Sequence, residues 1–446
     1  MSSVTIALGS LLLMLLLIYA GLHVAITLGV LSFIGVWLIR DDVTVAANLL
    51  AQAVSDSVAS HVFGVVPLFV LTGFLVAHAD VGKDAFEVAH QAFRRIRGGL
   101  GVATVAANAV FAAITGISIA SAAVFTRVAV PQMLRFGYQP RFAVGVVAGS
   151  SVLGMLIPPS LLMILYGFLS NQSVGDLFTA GILPGLLLAL AYALLILLMA
   201  HLRPEMVYLK APTGQEDDQP LMPLMPLMPL GEMLRKLLPV VLLIGSVLGG
   251  IYAGLFTATE AGAVGAAMAL AVALLRRKLS WRGFWGVLTE TGHVTVAVSF
   301  LIICANIYTR MLAMSGTPQA LVAWMAAAGF GVAVFLLIYI LLILLLGTVI
   351  DSSSILLIVL PLMLPVAEQF GLNLIWFGVI TVVAVEIGLL TPPFGLSAYV
   401  VKSTLGNTVP LSLGDIFRGT APFTLTMLGV LLLLIAFPSL SLALLR

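Results

Sequence analysis

Residues 388–393 read Gly388-Leu389-Leu390-Thr391-Pro392-Pro393, and residues 154–159 read Gly154-Met155-Leu156-Ile157-Pro158-Pro159. The two stretches lie 234 positions apart, and each breaks a long apolar run. A proline removes a backbone donor and clashes with the preceding turn, so two in succession unwind a helix. The same offset of 234 pairs Ser118 with Ser352, Pro131 with Pro365 and Gly137 with Gly371. An offset of 233 pairs Tyr19-Ala20-Gly21-Leu22 with Tyr252-Ala253-Gly254-Leu255. Isolated Gly or Pro matches are cheap in such a chain, but a near-constant spacing with a four-residue identity marks an internal repeat. The halves are assigned to residues 1–200 and 237–446, with residues 201–236 as the linker between them.

Composition says where such a repeat resides. Hydrophobic residues make up 61% of the 446, charged residues only 9%, and the mean hydropathy is +1.20. A soluble domain carries about 25% charged residues, so this chain cannot cover a water-facing surface. Residues 1–39, 98–126, 142–175, 311–350 and 419–445 hold no Asp, Glu, Lys or Arg. A helical crossing needs about 20 apolar residues, whereas a barrel would alternate in segments of about 10. The predicted class is an all-α, multi-pass membrane protein. Residues 4–18 follow no basic stretch and are read as its first membrane segment rather than a cleaved signal. The single cysteine, Cys304, excludes a disulfide within the chain and reads as a packing residue.

Basic residues gather at 83–97, 203–236 and 276–282, which by the positive-inside rule are cytoplasmic candidates. The segment 237–275 must then make an even number of passes or re-enter. Residues 81–97 read as an amphipathic surface helix. The triplet Leu-Met-Pro occurs three times over 221–229 and favours an extended linker.

A polar patch precedes each Pro-Pro break. In the first half it is Thr115-Gly116-Ile117-Ser118-Ile119-Ala120-Ser121, and the break opens at Gly149-Ser150-Ser151. In the second half it is Gly347-Thr348-Val349-Ile350-Asp351-Ser352-Ser353-Ser354, and the break opens at Glu386-Ile387-Gly388. Segments 99–135 and 331–368 each suit a hairpin that enters and leaves on one side, and 142–168 and 374–403 each suit a broken helix. Unwound backbone at membrane depth is tolerated only where it is buried or lines a cavity. There its carbonyls and neighbouring hydroxyls coordinate Na⁺, while half-helix N-termini attract an anion. Packing of small residues is the competing reading for any one patch. Four patches in repeat-related pairs favour ion sites.

These segments resemble the large membrane subunit of the tripartite ATP-independent periplasmic (TRAP) transporters. The likeness is carried by Phe111 to Met133 with Gly137-Tyr138, by Gly154 to Ser160 and by Phe256-Thr257-Ala258-Thr259-Glu260-Ala261. It continues from Gly347 through Pro361, Pro365, Gly371 and Trp376 to Pro393, so that it covers essentially the whole chain. The resemblance implies two inverted repeats, each with a re-entrant hairpin and a discontinuous helix, in an elevator-type carrier of the bacterial inner membrane. It implies two or more Na⁺ ions and no organic cofactor. One ion is placed near Gly116, Ser118, Ser150, Ser151 and Gly154, the other near Gly347, Thr348, Asp351, Gly388 and Thr391. Thr115, Ser121, Pro158, Ser352, Ser353, Glu386 and Pro392 are the accompanying candidates for contact with a small carboxylate. The implied partners are a small membrane subunit and a periplasmic substrate-binding protein, with no nucleic acid.

Arg127 and Arg310 match no motif of that family. Either could contact a carboxylate bidentately, snorkel, or pair with Asp351 or Glu386. Glu260 and Glu386 read as proton carriers or, more plainly, as carboxylates that order a bend. The six histidines show no metal-ligand spacing. No HExxH, GxSxG or phosphate loop occurs, which argues against a membrane enzyme and against ATP-driven transport. A stand-alone Na⁺- or H⁺-coupled carboxylate symporter of related fold is the alternative.

Overall fold

The computed structural model describes residues 2–59, 62–209, 228–406 and 408–445. Their regular structure is helical, apart from one isolated antiparallel bridge between Tyr138 and Tyr208. The first half holds α1 (Ser3–Tyr19), α2 (Val24–Arg40), α3 (Val43–Ala59), α4 (Val62–His78) and the amphipathic α5 (Val81–Phe93). It continues with α6 (Gly99–Thr115), α7 (Ser118–Arg135), α8 (Pro140–Ser151), α9 (Leu153–Leu156), α10 (Leu161–Ser170), α11 (Val174–Leu202) and the short α12 (Pro204–Val207). The second half holds α13 (Leu230–Tyr252), α14 (Ala258–Leu275), α15 (Trp281–Ser315), α16 (Thr317–Ala327), α17 (Val332–Gly347) and α18 (Ser352–Gln369). It ends with α19 (Leu374–Leu390), α20 (Leu396–Leu405), α21 (Leu413–Ala436) and α22 (Ser439–Leu442). Among the described residues seven helices are long and apolar enough to cross a membrane, or eight if bent α3–α4 counts as one span.

The repeats are inverted. Shifting α3–α4 by 234 positions lands on α15, and these equivalents lie side by side. Asn306 Nδ2 donates to Ser57 Oγ at 2.9 Å and Arg310 Nη2 reaches Asp56 at 2.5 Å. At the other end Gly283 faces His78, where a β-carbon would sit 3.1 Å from Nε2. Residue numbers rise along one partner as they fall along the other, so equivalent elements run antiparallel. Packing is reciprocal as well: α10 lies on α18 and α20 on α7, while α11 lies on α19 and α21 on α8.

The basic clusters meet on one face. Lys236 pairs with Glu87 at 2.7 Å, Lys278 with Asp80 at 2.9 Å, and Arg276 with Asp84. Helices α13 and α14 therefore go out and return, which supplies the even number of passes that the charge pattern required. Both ends of the α6–α7 hairpin are tied down beside this face. Gly98 N donates to Tyr208 Oη (2.7 Å), Gln139 N to Val207 O (2.8 Å) and Leu209 N to Gly137 O (2.9 Å). The α17–α18 hairpin closes its own mouth through the rings of Phe335 and Phe370, 5.5 Å apart.

Burial separates core from rim. The α8–α10 span is 83% buried along its most apolar stretch, against 28% for α11 and 22% for α13. Bilayer-facing leucines such as Leu190, Leu194 and Leu242 stud the latter two. The stretch 201–236 is not loop throughout. Pro204 begins α12 and Pro229 caps α13, because proline suits the first helical positions. Most of the Leu-Met-Pro repeat lies outside the described residues.

Candidate functional site

Each hairpin ends in a turn that touches a broken helix. In the first half, Gly116 takes up φ +65° to end α6. A β-carbon there would meet Pro159 O at 2.5 Å, and Leu161 N donates to Gly116 O at 3.2 Å. Gly154 lies against the same turn, because its β-carbon would fall 3.0 Å from Ser118 N. Gly116, Ser118 and Gly154 thus come together against Pro159, which Pro158 precedes in the break, with Thr115 and Ser121 just beside the turn. Thr115 is turned back onto Phe111 O (3.0 Å), whereas the fully buried hydroxyls of Ser118 and Ser121 have no partner.

Ser150 and Ser151 stand on α8, one turn before the break. Ser151 bonds to Ala148 O at 2.8 Å. Ser150 donates to Val146 O and accepts from Asn108 Nδ2, both at 2.6 Å. Asn108, fully buried on α6, leaves its Oδ1 unpartnered. Asn108 belongs to none of the Gly, Ser or Pro clusters in the sequence. Its signal was a lone amide in the charge-free window 98–126.

In the second half, Gly347 and Gly388 pack backbone against backbone, and Phe394 N donates to Thr348 O at 3.3 Å. Thr391 Oγ1 bonds to Ile387 O at 2.7 Å. Asp351 accepts from Ser354 N (3.1 Å) and from the Ser354 hydroxyl, and so caps α18. Ser160 caps α10 in the same way, whereas α7 and α20 start without any side-chain cap. Their first N–H groups therefore have no side-chain acceptor.

The two tips differ in exposure. Pro158, Pro159 and Ser160 are buried, but Pro392, Pro393 and Phe394 are exposed. Asp351, Ser353 and Ser354 line a cleft of about 470 Å³ whose other walls are the α1–α2 turn and α15. Glu386, beside the second tip, is fully buried in α19. Ser352 Oγ donates to its Oε1 at 3.3 Å, and Oε2 is left without a partner.

Three sequence candidates lie elsewhere. Arg127 is exposed in a surface cleft with Lys83, Glu87 and Glu232, among the basic clusters. Arg310 pairs with Asp56 rather than with Asp351 or Glu386. Glu260 forms a capping box with Thr257 at the start of α14, with Thr257 N donating to it at 2.8 Å. A bulky cation and a cap that satisfy local partners are served far from the tips.

The donors gathered at the tips are hydroxyl, amide and backbone oxygens with one carboxylate. Among the described residues no group of three His, Cys, Asp or Glu converges. The buried unpartnered oxygens of Asn108, Ser118, Ser121 and Glu386 fit a hard cation that takes oxygen ligands better than a softer transition metal.

Residues 11–440 match the family model described as the tripartite ATP-independent periplasmic transporter, DctM component. The chain belongs to that family. It is 34% identical over 380 residues to the C4-dicarboxylate TRAP transporter large permease protein DctM of Pseudomonas aeruginosa, covering 85% of each chain. It is 32% identical over 429 residues to the sialic acid TRAP transporter large permease protein SiaM of Vibrio cholerae, covering 96% of each. The crystal structure of the Alcanivorax borkumensis YdaH transporter superposes over 100% of both chains with a TM-score of 0.63 at 14% identity, which shows a shared fold. The chain is a multi-pass transport permease.

Proposed function

We propose that this large permease imports a small organic acid across the bacterial inner membrane, driven by Na⁺. In this reading a soluble periplasmic protein delivers the acid and a small membrane subunit accompanies the permease. The observation that carries it is the pair of inverted tips: each sets a glycine turn against an unwound helix, with buried, unpartnered oxygens around the first. Both named relatives handle carboxylated compounds, so the cargo class is a carboxylate. The basic face is taken as cytoplasmic.

Bound Na⁺ would supply positive charge at the tips and, with the membrane potential, the driving force. One net charge moved through 100 mV is worth about 2.3 kcal/mol. Gly116, Ser118, Ser150, Ser151 and Gly154 would hold one ion, and Gly347, Thr348, Asp351, Gly388 and Thr391 the other. The uncapped starts of α7 and α20 would orient the carboxylate, flanked by Thr115, Ser121, Pro158, Ser352, Ser353 and Pro392. The sealed first tip and open second tip are the asymmetry that alternating access requires of one conformation. Movement of the tip-bearing core against α1–α4 and α13–α15 would exchange them.

The test is uptake of radiolabelled dicarboxylates, keto acids and sialic acid into proteoliposomes, with and without the small subunit and the periplasmic protein. Uptake that needs the periplasmic protein supports the tripartite reading. Uptake by the permease alone would replace it with a stand-alone symporter.

A further inference from the structure

Helix α14 is the repeat mate of α2, since residues 24–40 shifted by 234 fall on 258–274. The turns that follow them share a backbone and differ in chemistry. Each passes through a left-handed residue, Asp41 after α2 and Arg277 after α14, both at φ 52°. The first turn reads Arg40-Asp41-Asp42. The second reads Arg276-Arg277-Lys278 and runs on into Trp281-Arg282-Gly283-Phe284-Trp285 at the start of α15. The backbone therefore asks for neither the cations nor the indoles. Arg276 is held by Asp84 and Lys278 by Asp80, but among the described residues no acid pairs with Arg277 or Arg282. Both of these arginines are exposed. Trp281 and Trp285 are 73% and 53% exposed and stand edge to face, their ring centres 5.9 Å apart. Phe284 stacks on Trp281 at the same distance. Leu274 and Leu275, the last residues of α14, are exposed as well.

We propose that the turn between α14 and α15 is a seat for an anionic phospholipid. A guanidinium donates paired bonds to phosphate oxygens and is only weakly hydrated, so the unpaired Arg277 and Arg282 suit a phosphodiester. Tryptophan settles at the level of the headgroups, where its ring is in the apolar layer and its N–H meets water. Leu274, Leu275 and the indole rings offer apolar surface to the acyl chains below the same headgroup. Lipid is the occupant that matches both halves of the patch, because the turn closes the apolar span Ala258–Leu275 and so stands at the edge of the bilayer. Helices α14 and α15 both pack on α4, so one bound lipid steadies three helices at the membrane surface. The proposal needs only a membrane-embedded chain and is independent of the ion that drives transport.

The experiment places the full-length permease in mixed bilayers of phosphatidylcholine and phosphatidylglycerol, with bromine on the acyl chains of one lipid at a time, and reads the quenching of tryptophan fluorescence. The signal of the turn is the difference between the unsubstituted protein and Trp281→Phe/Trp285→Phe, which keeps Trp37, Trp324 and Trp376. That difference should report phosphatidylglycerol favoured about fivefold or more over phosphatidylcholine, the contribution of a basic residue close to an anionic headgroup. In Arg277→Gln/Arg282→Gln the preference should fall to about one. It should also fall in 1 M salt, which screens exposed charges, and this arm decides the matter should the arginine variant fail to insert. No preference in the unsubstituted protein would overturn the proposal. So would a preference that survives both the arginine substitutions and the salt, since it would not be held by these cations. Loss of the preference when the small membrane subunit is reconstituted alongside would give the patch to that protein and overturn the lipid seat.

Discussion

Gly347 and Gly388 meet backbone to backbone: a β-carbon on Gly347 would sit 2.6 Å from Gly388 Cα, and one on Gly388 2.7 Å from Gly347 Cα. The end of the second hairpin's first arm is thereby pinned to the broken helix at its breaking point. No flexible side chain stands between them to give way. Gly347→Ala or Gly388→Ala should cost about 1–3 kcal/mol of stability. A displaced tip should also cut uptake about tenfold or more. Gly429→Ala, on α21 with open space around it, should leave both unchanged. Thermal unfolding in detergent and an uptake assay on the same preparations check this.

Gly116 carries a double constraint, a φ of +65° and the Pro159 carbonyl 2.5 Å from any β-carbon. Gly116→Ala should therefore be more damaging than Gly371→Ala, which shares the left-handed φ but has nothing within 4 Å. Parallel uptake measurements compare the two.

The bond from Asn108 Nδ2 to Ser150 Oγ joins the first hairpin to its broken helix. Ser150→Ala would leave that amide unsatisfied in the core, at a cost of about 1–3 kcal/mol. Ser151→Ala removes only a bond to its own helix and should cost less. The difference in unfolding midpoint between the two variants is the readout.

How much of this was legible beforehand follows from which residues carry it. The hairpin turns and the breaks rest on Gly116, Gly154, Gly347, Gly388 and the Pro-Pro pairs, whose backbone demands are local and show in any sequence. The spacing of 234 then gave away the repeat. Side-chain partnerships are a different matter, because they depend on which helices become neighbours. Nothing near Arg310 in the chain announces Asp56, and nothing near Glu386 announces Ser352. Asn108 was missed because its partner lies 42 positions away. The inversion that the family resemblance implied is visible where α15 runs against α3–α4.

The basic-face ion pairs should not contribute equally. Arg276 and Asp84 are both largely shielded, whereas Lys278 and Asp80 are each about half exposed, at 54% and 48%. Arg276→Gln should cost about 1–2 kcal/mol, between values for exposed and buried pairs. Lys278→Gln should cost less than about 1 kcal/mol, and both losses should be read in moderate salt, where the exposed pair is screened.

Arg127→Gln and Arg310→Gln should retain the substrate concentration for half-maximal uptake, because neither side chain reaches the tips. Arg310→Gln should instead loosen the seam between α3 and α15. Saturation curves for uptake separate a binding defect from a stability defect.

The central claim is that the paired tips make this permease a Na⁺-driven carrier. The most direct test is the initial rate of uptake of a transported acid into proteoliposomes, with an inward Na⁺ gradient and with K⁺ in its place, at fixed membrane potential. Accumulation against the acid's gradient only when Na⁺ is outside is the predicted result. Equal uptake in K⁺ would contradict it.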